Sequence, residues 1–183
     1  EALGPGPFDL ILDLGTGTGR ILELLARRGR RLVGIDKNRE MLRCARVRLE
    51  TMGLANCSVR LADIYDLPFS DGEADAGIVY QVLHFLEQPK AALAEAARVL
   101  KPNGKLIVVD FAPHGLEFLR DEHAHLRLGF ASEEIAGWLA DAGLRVSAYR
   151  ELAPAQAKDA PLKVACWTGL KERGSAGQWR AAS

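Results

Sequence analysis

The sequence predicts an α/β domain: a mostly parallel sheet with helices packed on both faces. Three observations lead there. Short apolar runs alternate along the chain with amphipathic helical patterns, and the links between them are brief and marked by Gly, Pro and Asn. Strand–helix alternation of this kind builds parallel sheets covered on both sides. The last third breaks the rule, because its two final apolar runs follow one another with no helix between them, and strands joined that way pair antiparallel.

The elements are expected in the following order. FDLILDL, Phe8 to Leu14, reads as a buried strand, and Arg20 to Arg28 as a helix with Ile21, Leu22, Leu24 and Leu25 on one broad face and Gly29 as its stop. RLVGID, Arg31 to Asp36, is a second strand. Asn38 caps a helix on which Met41, Leu42, Ala45, Leu49 and Met52 recur at helical spacing, and Gly53 ends it. Ser58 to Ala62 and Ala74 to Tyr80 are the third and fourth strands. Pro89 opens an alanine-rich helix as a first-turn proline. Lys101 to Gly104 reads as a turn before a fifth strand, Lys105 to Phe111. Two helices are then expected, Gly115 to Leu128 and Ser132 to Ala142, the second ending at Gly143. Leu144 to Leu152 and Leu162 to Leu170 complete the strands, joined by APAQAKDAP, and residues 171–183 read as a poorly ordered tail.

Composition narrows the function. A chain of 183 residues with 48% apolar and 26% charged residues is sized for one domain with a sizeable core. Its 24 basic and 24 acidic residues cancel, so no overall field draws in nucleic acid, membrane or an acidic substrate. The basic run Arg27, Arg28, Arg30 and Arg31 reads as a solvated helix end. Cys44, Cys57 and Cys166 are odd in number and far apart, which fits a reducing cytoplasm. No apolar run is long enough to cross a bilayer as a helix. Residues 1–7, rich in Gly and Pro, read as the remnant of a linker, so a preceding segment or domain is expected.

The stretch LILDLGTGTGR concentrates the chemistry. Gly15, Gly17 and Gly19, directly behind a strong strand, let a ligand approach the backbone and meet the free N–H groups of the next helix. The spacing is GxGxG with Arg20 following, not the dinucleotide GxGxxG, and no phosphate-cradling GxxxxGK[ST] exists. Acidic residues close successive strands: Asp13, then Asp36, with Asp63 after the third. Asp36 is placed to accept from both ribose hydroxyls. Asp63 is placed to accept from an exocyclic amine, with Ile64 as an apolar wall for the ring. Several carboxylates around one pocket repel a pyrophosphate and suit a nucleoside bearing a cationic group, a description S-adenosylmethionine fits.

The motifs LDLGTGTGR, GIDKNREML, ADIYDLPF and VLKPNGKLIVVDF resemble those of class I S-adenosylmethionine-dependent methyltransferases, most closely the quinone-methyltransferase-like branch. The resemblance spans residues 8 to 170. It implies a seven-stranded Rossmann-like sheet in the order 3-2-1-4-5-7-6 with strand seven antiparallel. It gives Asp13, Gly15, Gly17 and Gly19 the methionine end of the cofactor, with Thr16 of the same turn also among the binding residues. It gives Asp36 and Lys37 the ribose edge, Asp63 and Ile64 the adenine, and Gln81 a place near the methyl donor. The segment from Asp110 to Leu144 is similar to a bacterial group in which this domain follows an ArsR-type winged-helix DNA-binding domain. The implied function is methyl transfer to a small-molecule acceptor, with no nucleic-acid contact by this domain itself. The alternative is a domain that senses S-adenosylmethionine or S-adenosylhomocysteine for a regulator, DNA being bound by the winged helix; a homodimer is compatible with either.

Methyl transfer is an in-line displacement, so the protein aligns the reactants, and a base is needed only where the acceptor loses a proton. Tyr80, His84, Asp110 and His114 are the candidates by position. His84 has an alternative reading as a helix-surface residue. Glu117, Asp121 and His125 share a face if their segment is one helix, but charged residues on a covering helix are common and no metal is assigned. The cysteines lie too far apart in the sequence pattern to converge on an arsenic atom.

Overall fold

Residues 2–152 and 162–172 are described by a computed structural model of the chain. The linker APAQAKDAP and the tail beyond 172 lie outside the described residues. Seven strands form one sheet: β1 (Phe8–Leu14), β2 (Gly29–Asp36), β3 (Cys57–Leu61), β4 (Ala74–Tyr80), β5 (Leu100–Phe111), β6 (Leu144–Leu152) and β7 (Val164–Lys171). Their order is 3-2-1-4-5-7-6, with β7 antiparallel to both β5 and β6 and the other pairs parallel.

Alternation along each strand divides the core in two. Leu10, Leu12 and Leu14 face one layer with Val33, Ile35, Val79, Leu106 and Val108. On that layer pack α3 (Pro89–Arg98), through Ala92, Leu93, Ala96 and Ala97, and α5 (Ser132–Asp141), through Ile135 and Leu139. Ile11, Leu32, Ile78 and Ile107 face the other layer, against Leu22 of α1 (Arg20–Leu25) and Leu49 of α2 (Arg39–Thr51). Trp167, 1% exposed, anchors the antiparallel edge and donates Nε1–H to Ser132 O at 3.1 Å.

Capping follows the sequence. The Asn38 side chain accepts from Glu40 N and Met41 N, Pro89 occupies the first turn of α3, and Gly53 and Gly143 leave their helices at positive φ. Several expectations are revised. The first helix ends at Leu25 and gives way to a 3₁₀ turn at Ala26–Arg28, and Gly29 opens β2 instead of ending the helix. Leu24 points outward, 60% exposed, since six residues of helix present only a narrow inner face. The Lys101–Gly104 turn lies inside β5: pairing with β4 passes from Ala74↔Leu100 to Ala76↔Lys105, and the loop bulges between them.

The largest revision concerns 115–128. Only Phe118–His123 is helical (α4), and Ala124 at φ 54° ends it. His125 is therefore off the helix, and the shared face with Glu117 and Asp121 does not exist. In the opening stretch Leu3 is buried in the second layer, Lys105 Nζ donates to Leu3 O at 2.9 Å, and Arg28 donates to Gly4 O. No helix among the described residues is long and apolar enough to cross a membrane.

Candidate active site

At the carboxyl end of β1 the chain turns through Gly15, Gly17 and Gly19, all at positive φ. Gly15 N–H and Thr16 N–H both donate to Ile35 O, at 2.8 and 2.9 Å, which ties the turn to the end of β2. Gly15 leaves no room for a side chain, because a Cβ there would lie 2.3 Å from Val82 Cγ2. Gly34, inside β2, has the same office from the other side: a Cβ would come within 2.5 Å of Thr16 Oγ1. The hydroxyl of Thr16 is thus free to donate to Asp13 Oδ2 at 2.6 Å.

Asp13 lies beneath the turn, 1% exposed. Burial is the main force on it and raises its carboxyl from the ordinary 3.8 to about 7; the Asp36 charge adds to the rise and the Thr16 hydrogen bond opposes it. Asp36 closes β2 and is shared between the turn and the next helix. Its Oδ2 accepts Gly17 N–H at 2.8 Å and its Oδ1 accepts Asn38 N–H at 2.8 Å, which leaves lone pairs on both oxygens for a further donor. Asp63 Oδ1 accepts Tyr65 N–H at 3.0 Å, and its backbone bridges to Asp66.

Between these groups is a hollow of about 300 Å³. Gly15, Gly17, Asp36, Lys37, Asp63 and Ile64 of the expected set line it. Asp13, Thr16, Gly19 and Gln81 lie outside the lining; Asp13 and Thr16 act from underneath. Gln81 instead makes a sharp bend at φ 53°, its N–H donating to Val109 O at 2.7 Å. The sequence reading missed Met41, Val82 and Phe85 in the lining and Gly34 behind the turn. Gly34 carried a readable signal, a lone glycine inside a strong strand pattern.

The four candidates for a base divide sharply. Tyr80 is on the opposite face of the sheet, 40% exposed beside Ile78, Ile107 and Val109, because strand alternation turns it away from the hollow. His84 is not on a helix surface: it sits in a 3₁₀ turn at Leu83–Phe85, 2% exposed, with Nδ1 2.7 Å from Asp110 Oδ1. Asp110, fully buried at the end of β5, also accepts Leu83 N–H at 2.9 Å and Phe111 N–H at 2.8 Å. His114 lies in the loop after β5 and stands edge-on to Phe111. The segment 112–130 folds over this pair, Leu126 N–H and Arg127 N–H both donating to His84 O at 2.9 and 3.3 Å. Among the described residues no cluster of His, Cys, Asp and Glu has the form of a metal site.

Comparison with known proteins agrees with this fold. The chain is 41% identical over 111 residues to a 37.1 kDa protein, itself uncharacterized, of a Streptomyces fradiae transposon; the match takes in 59% of this chain and 32% of that protein. It is 38% identical over 112 residues to the demethylmenaquinone methyltransferase of Tropheryma whipplei, 61% of this chain and 46% of the relative. It thus spans a third to a half of the length of these relatives. The crystal structure of geranyl diphosphate C-methyltransferase from Streptomyces coelicolor, a complex with Mg²⁺, geranyl diphosphate and S-adenosyl-L-homocysteine, superposes with a TM-score of 0.79 at 16% identity, over 93% of this chain and 74% of that one. The sequence profile of the methyltransferase domain matches residues 12–108, more than half of the chain. The chain belongs to the methyltransferase-domain family.

Proposed function

We propose that the chain binds S-adenosylmethionine in the hollow at the carboxyl ends of β1 to β3 and transfers its methyl group to a small-molecule acceptor. The observation that carries this reading is the acidic glycine turn: a backbone open to close approach, with Asp36 and Asp63 in the wall and Asp13 raised to about 7 beneath. A Cβ built on Gly17 would meet nothing within 4 Å, so a ligand has room to lie against that backbone. Anionic pyrophosphate would raise Asp13 further, whereas an ammonium or sulfonium near the turn relieves it.

Asp36 would take the ribose hydroxyls on its remaining lone pairs, and Ile64 and Met41 would flank the adenine ring. When bound, the sulfonium supplies an activated methyl group and a neutral thioether leaving group. The chain's own task is then alignment and exclusion of water, with Val82, Phe85 and Leu86 closing the hollow on the side of β4. Relatives are named for demethylmenaquinone and for geranyl diphosphate, acceptors with little in common. We infer that the acceptor is set outside the glycine turn, where the segment 112–130 folds over His84.

Calorimetric titration with S-adenosylhomocysteine and with NAD⁺ tests the cofactor. S-adenosylhomocysteine is expected to bind, and Asp36→Ala to weaken it by about tenfold or more through loss of charge-assisted hydrogen bonds. Binding of NAD⁺ in preference, or indifference to the Asp36 substitution, defeats the reading. Release of S-adenosylhomocysteine from S-adenosylmethionine in the presence of an acceptor tests turnover.

A further inference from the structure

The segment 112–130, between β5 and α5, has a fixed root and a lightly held body. At the root Ala112 N–H donates to Lys163 O and Phe130 N–H to Phe111 O, both at 2.9 Å. Gly129, at φ 84°, lies so close to this point that a Cβ there would come within 2.2 Å of Ala112 O. The body carries α4, of which Leu119 is the buried residue, while Phe118 and Leu126 stay 47% exposed. Its backbone meets the sheet domain through Leu126 N–H and Arg127 N–H, which share one acceptor, His84 O. The Arg127 guanidinium donates to Leu86 O and, at 3.0 Å, to Glu87 O. Phe85 and Leu86 line the hollow described above, so the body of the segment backs its wall.

What seats the body is a packed ring. His125, 7% exposed, lies 4.2 Å from the His84 ring, stacks on Phe111 at 5.7 Å and meets Phe85 edge-on at 5.2 Å. Its Nδ1 is buried with no hydrogen-bond partner among the described residues, and His114 Nε2 is in the same condition. The titratable groups facing His125 are His84 from the 3₁₀ turn, Asp110 from β5, His114 from the loop before α4, and His123 from α4 itself. Only Asp110 favours a proton on the ring, and its carboxylate already accepts from Leu83, Phe111 and His84. Glu117 faces His114 and is engaged by Arg120. Burial first, and His84 next, hold His114 and His125 below the usual histidine range. A neutral imidazole suits this aromatic packing. An imidazolium does not, because its charge is desolvated and one N–H has no acceptor.

We propose that residues 113–129 form a flap latched by His125, closed over His84 while that ring is neutral and swinging out from its root when the ring takes up a proton. On opening, Leu126 and Arg127 leave the His84 carbonyl, Arg127 leaves Leu86 and Glu87, and the wall formed by Phe85 and Leu86 loses its backing. The direction follows from linkage. The ring titrates near the ordinary 6.5 in the open flap and lower in the closed one. Closure is therefore whole above 6.5 and is lost progressively as pH falls below it. No ligand takes part, so the latch stands or falls separately from the S-adenosylmethionine reading.

Hydrogen exchange of the ligand-free chain, corrected for intrinsic rates, tests the latch at pH 7.5 and 5.5 on the wild type, His125→Phe and His123→Gln. In the wild type the amides of Leu126 and Arg127 are expected to open about threefold or more as readily at pH 5.5, with those of Ala112 and Phe130 at the root changing by less than about 1.5-fold. His125→Phe keeps a flat ring among Phe85 and Phe111 but takes no proton, and is expected to hold Leu126 and Arg127 closed at both pH values. His123→Gln, at an exposed position of the same segment, is expected to respond as the wild type does. A wild type without the response, a full response in His125→Phe, or an equal rise at Phe130, which marks general acid unfolding, overturns the proposal. If the phenylalanine does not seat, the wild-type ring resonances decide. His125 is expected to titrate over the same pH range in which Leu126 opens, and a midpoint at or above 6.5, or one outside that range, overturns the proposal.

Discussion

Replacing Asp13 by Asn changes one hydrogen-bonded oxygen into an amide of the same shape and removes a buried titratable group. The wild-type carboxyl is raised to about 7 from 3.8 by burial and by Asp36, so the folded state resists ionisation and the unfolded state does not. Its favourable contribution is whole below the unfolded value and drains away as pH rises toward 7, after which the loss is constant. Each unit within that window is worth about 1.4 kcal/mol, so between pH 5 and pH 8 the wild type loses about 2–3 kcal/mol that D13N keeps. Thr16 Oγ1 still donates to the amide oxygen, so the turn is retained. Urea unfolding of both proteins at pH 5, 6, 7 and 8 measures the difference directly. The stability gap between variant and wild type is expected to widen with pH and to level off above 7. A gap that stays constant across the range refutes the argument that Asp13 is ionised against its burial.

Three further outcomes follow from the same geometry. Binding of S-adenosylhomocysteine near pH 7 is expected to release a proton from Asp13, seen as a binding heat that changes with the ionisation enthalpy of the buffer and that is lost in D13N. Gly34→Ala places a methyl 2.5 Å from Thr16 Oγ1 and is expected to cost about 1–3 kcal/mol in thermal or urea unfolding, with weaker cofactor binding as the turn shifts. His114 and His125 are lowered by burial, so the unfolded state takes up protons that the folded state refuses and stability falls as pH drops below 6.5. Hydrogen exchange at pH 5.5 against pH 7.5, corrected for intrinsic rates, is expected to show faster opening at the amides of His114, Leu126 and Arg127.

The glycine turn and the carboxylates that line the hollow were readable because they are local signals. A glycine turn behind an apolar strand, with carboxylates at Asp36 and Asp63, announces itself within a few residues of each strand end. The sheet order was readable through motif resemblance, and the antiparallel edge through two strands in succession. What failed depended on tertiary context. Helical spacing over 115–128 looked continuous, yet Ala124 reverses the chain so that Leu126 and Arg127 can reach the His84 carbonyl. Tyr80 and His84 stand four residues apart by number, but the bend at Gln81 sends one to the outer face and the other into the core. No periodicity reports a bend that exists because Val109 and Asp110 of another strand hold it.

That bend also ties the wall of the hollow to the buried His84–Asp110 pair. Leaving β4, Gln81 is fixed by Val109 O and Leu83 by Asp110 Oδ2, so the backbone between them has little freedom. Val82 is thereby pressed against Gly15, two residues before His84 meets the carboxylate that orients it. Displacing Val82 therefore moves the wall of the glycine turn and His84 together. Val82→Ala is expected to relieve the contact at Gly15 and leave the bend and the His84–Asp110 pair in place. Val82→Phe, crowded against that backbone, is expected to push the 3₁₀ turn outward and part His84 from Asp110; the His84 ring resonances read the difference. The coupling runs through a single short segment, and its rigidity comes from β5, the strand that carries both of its anchors.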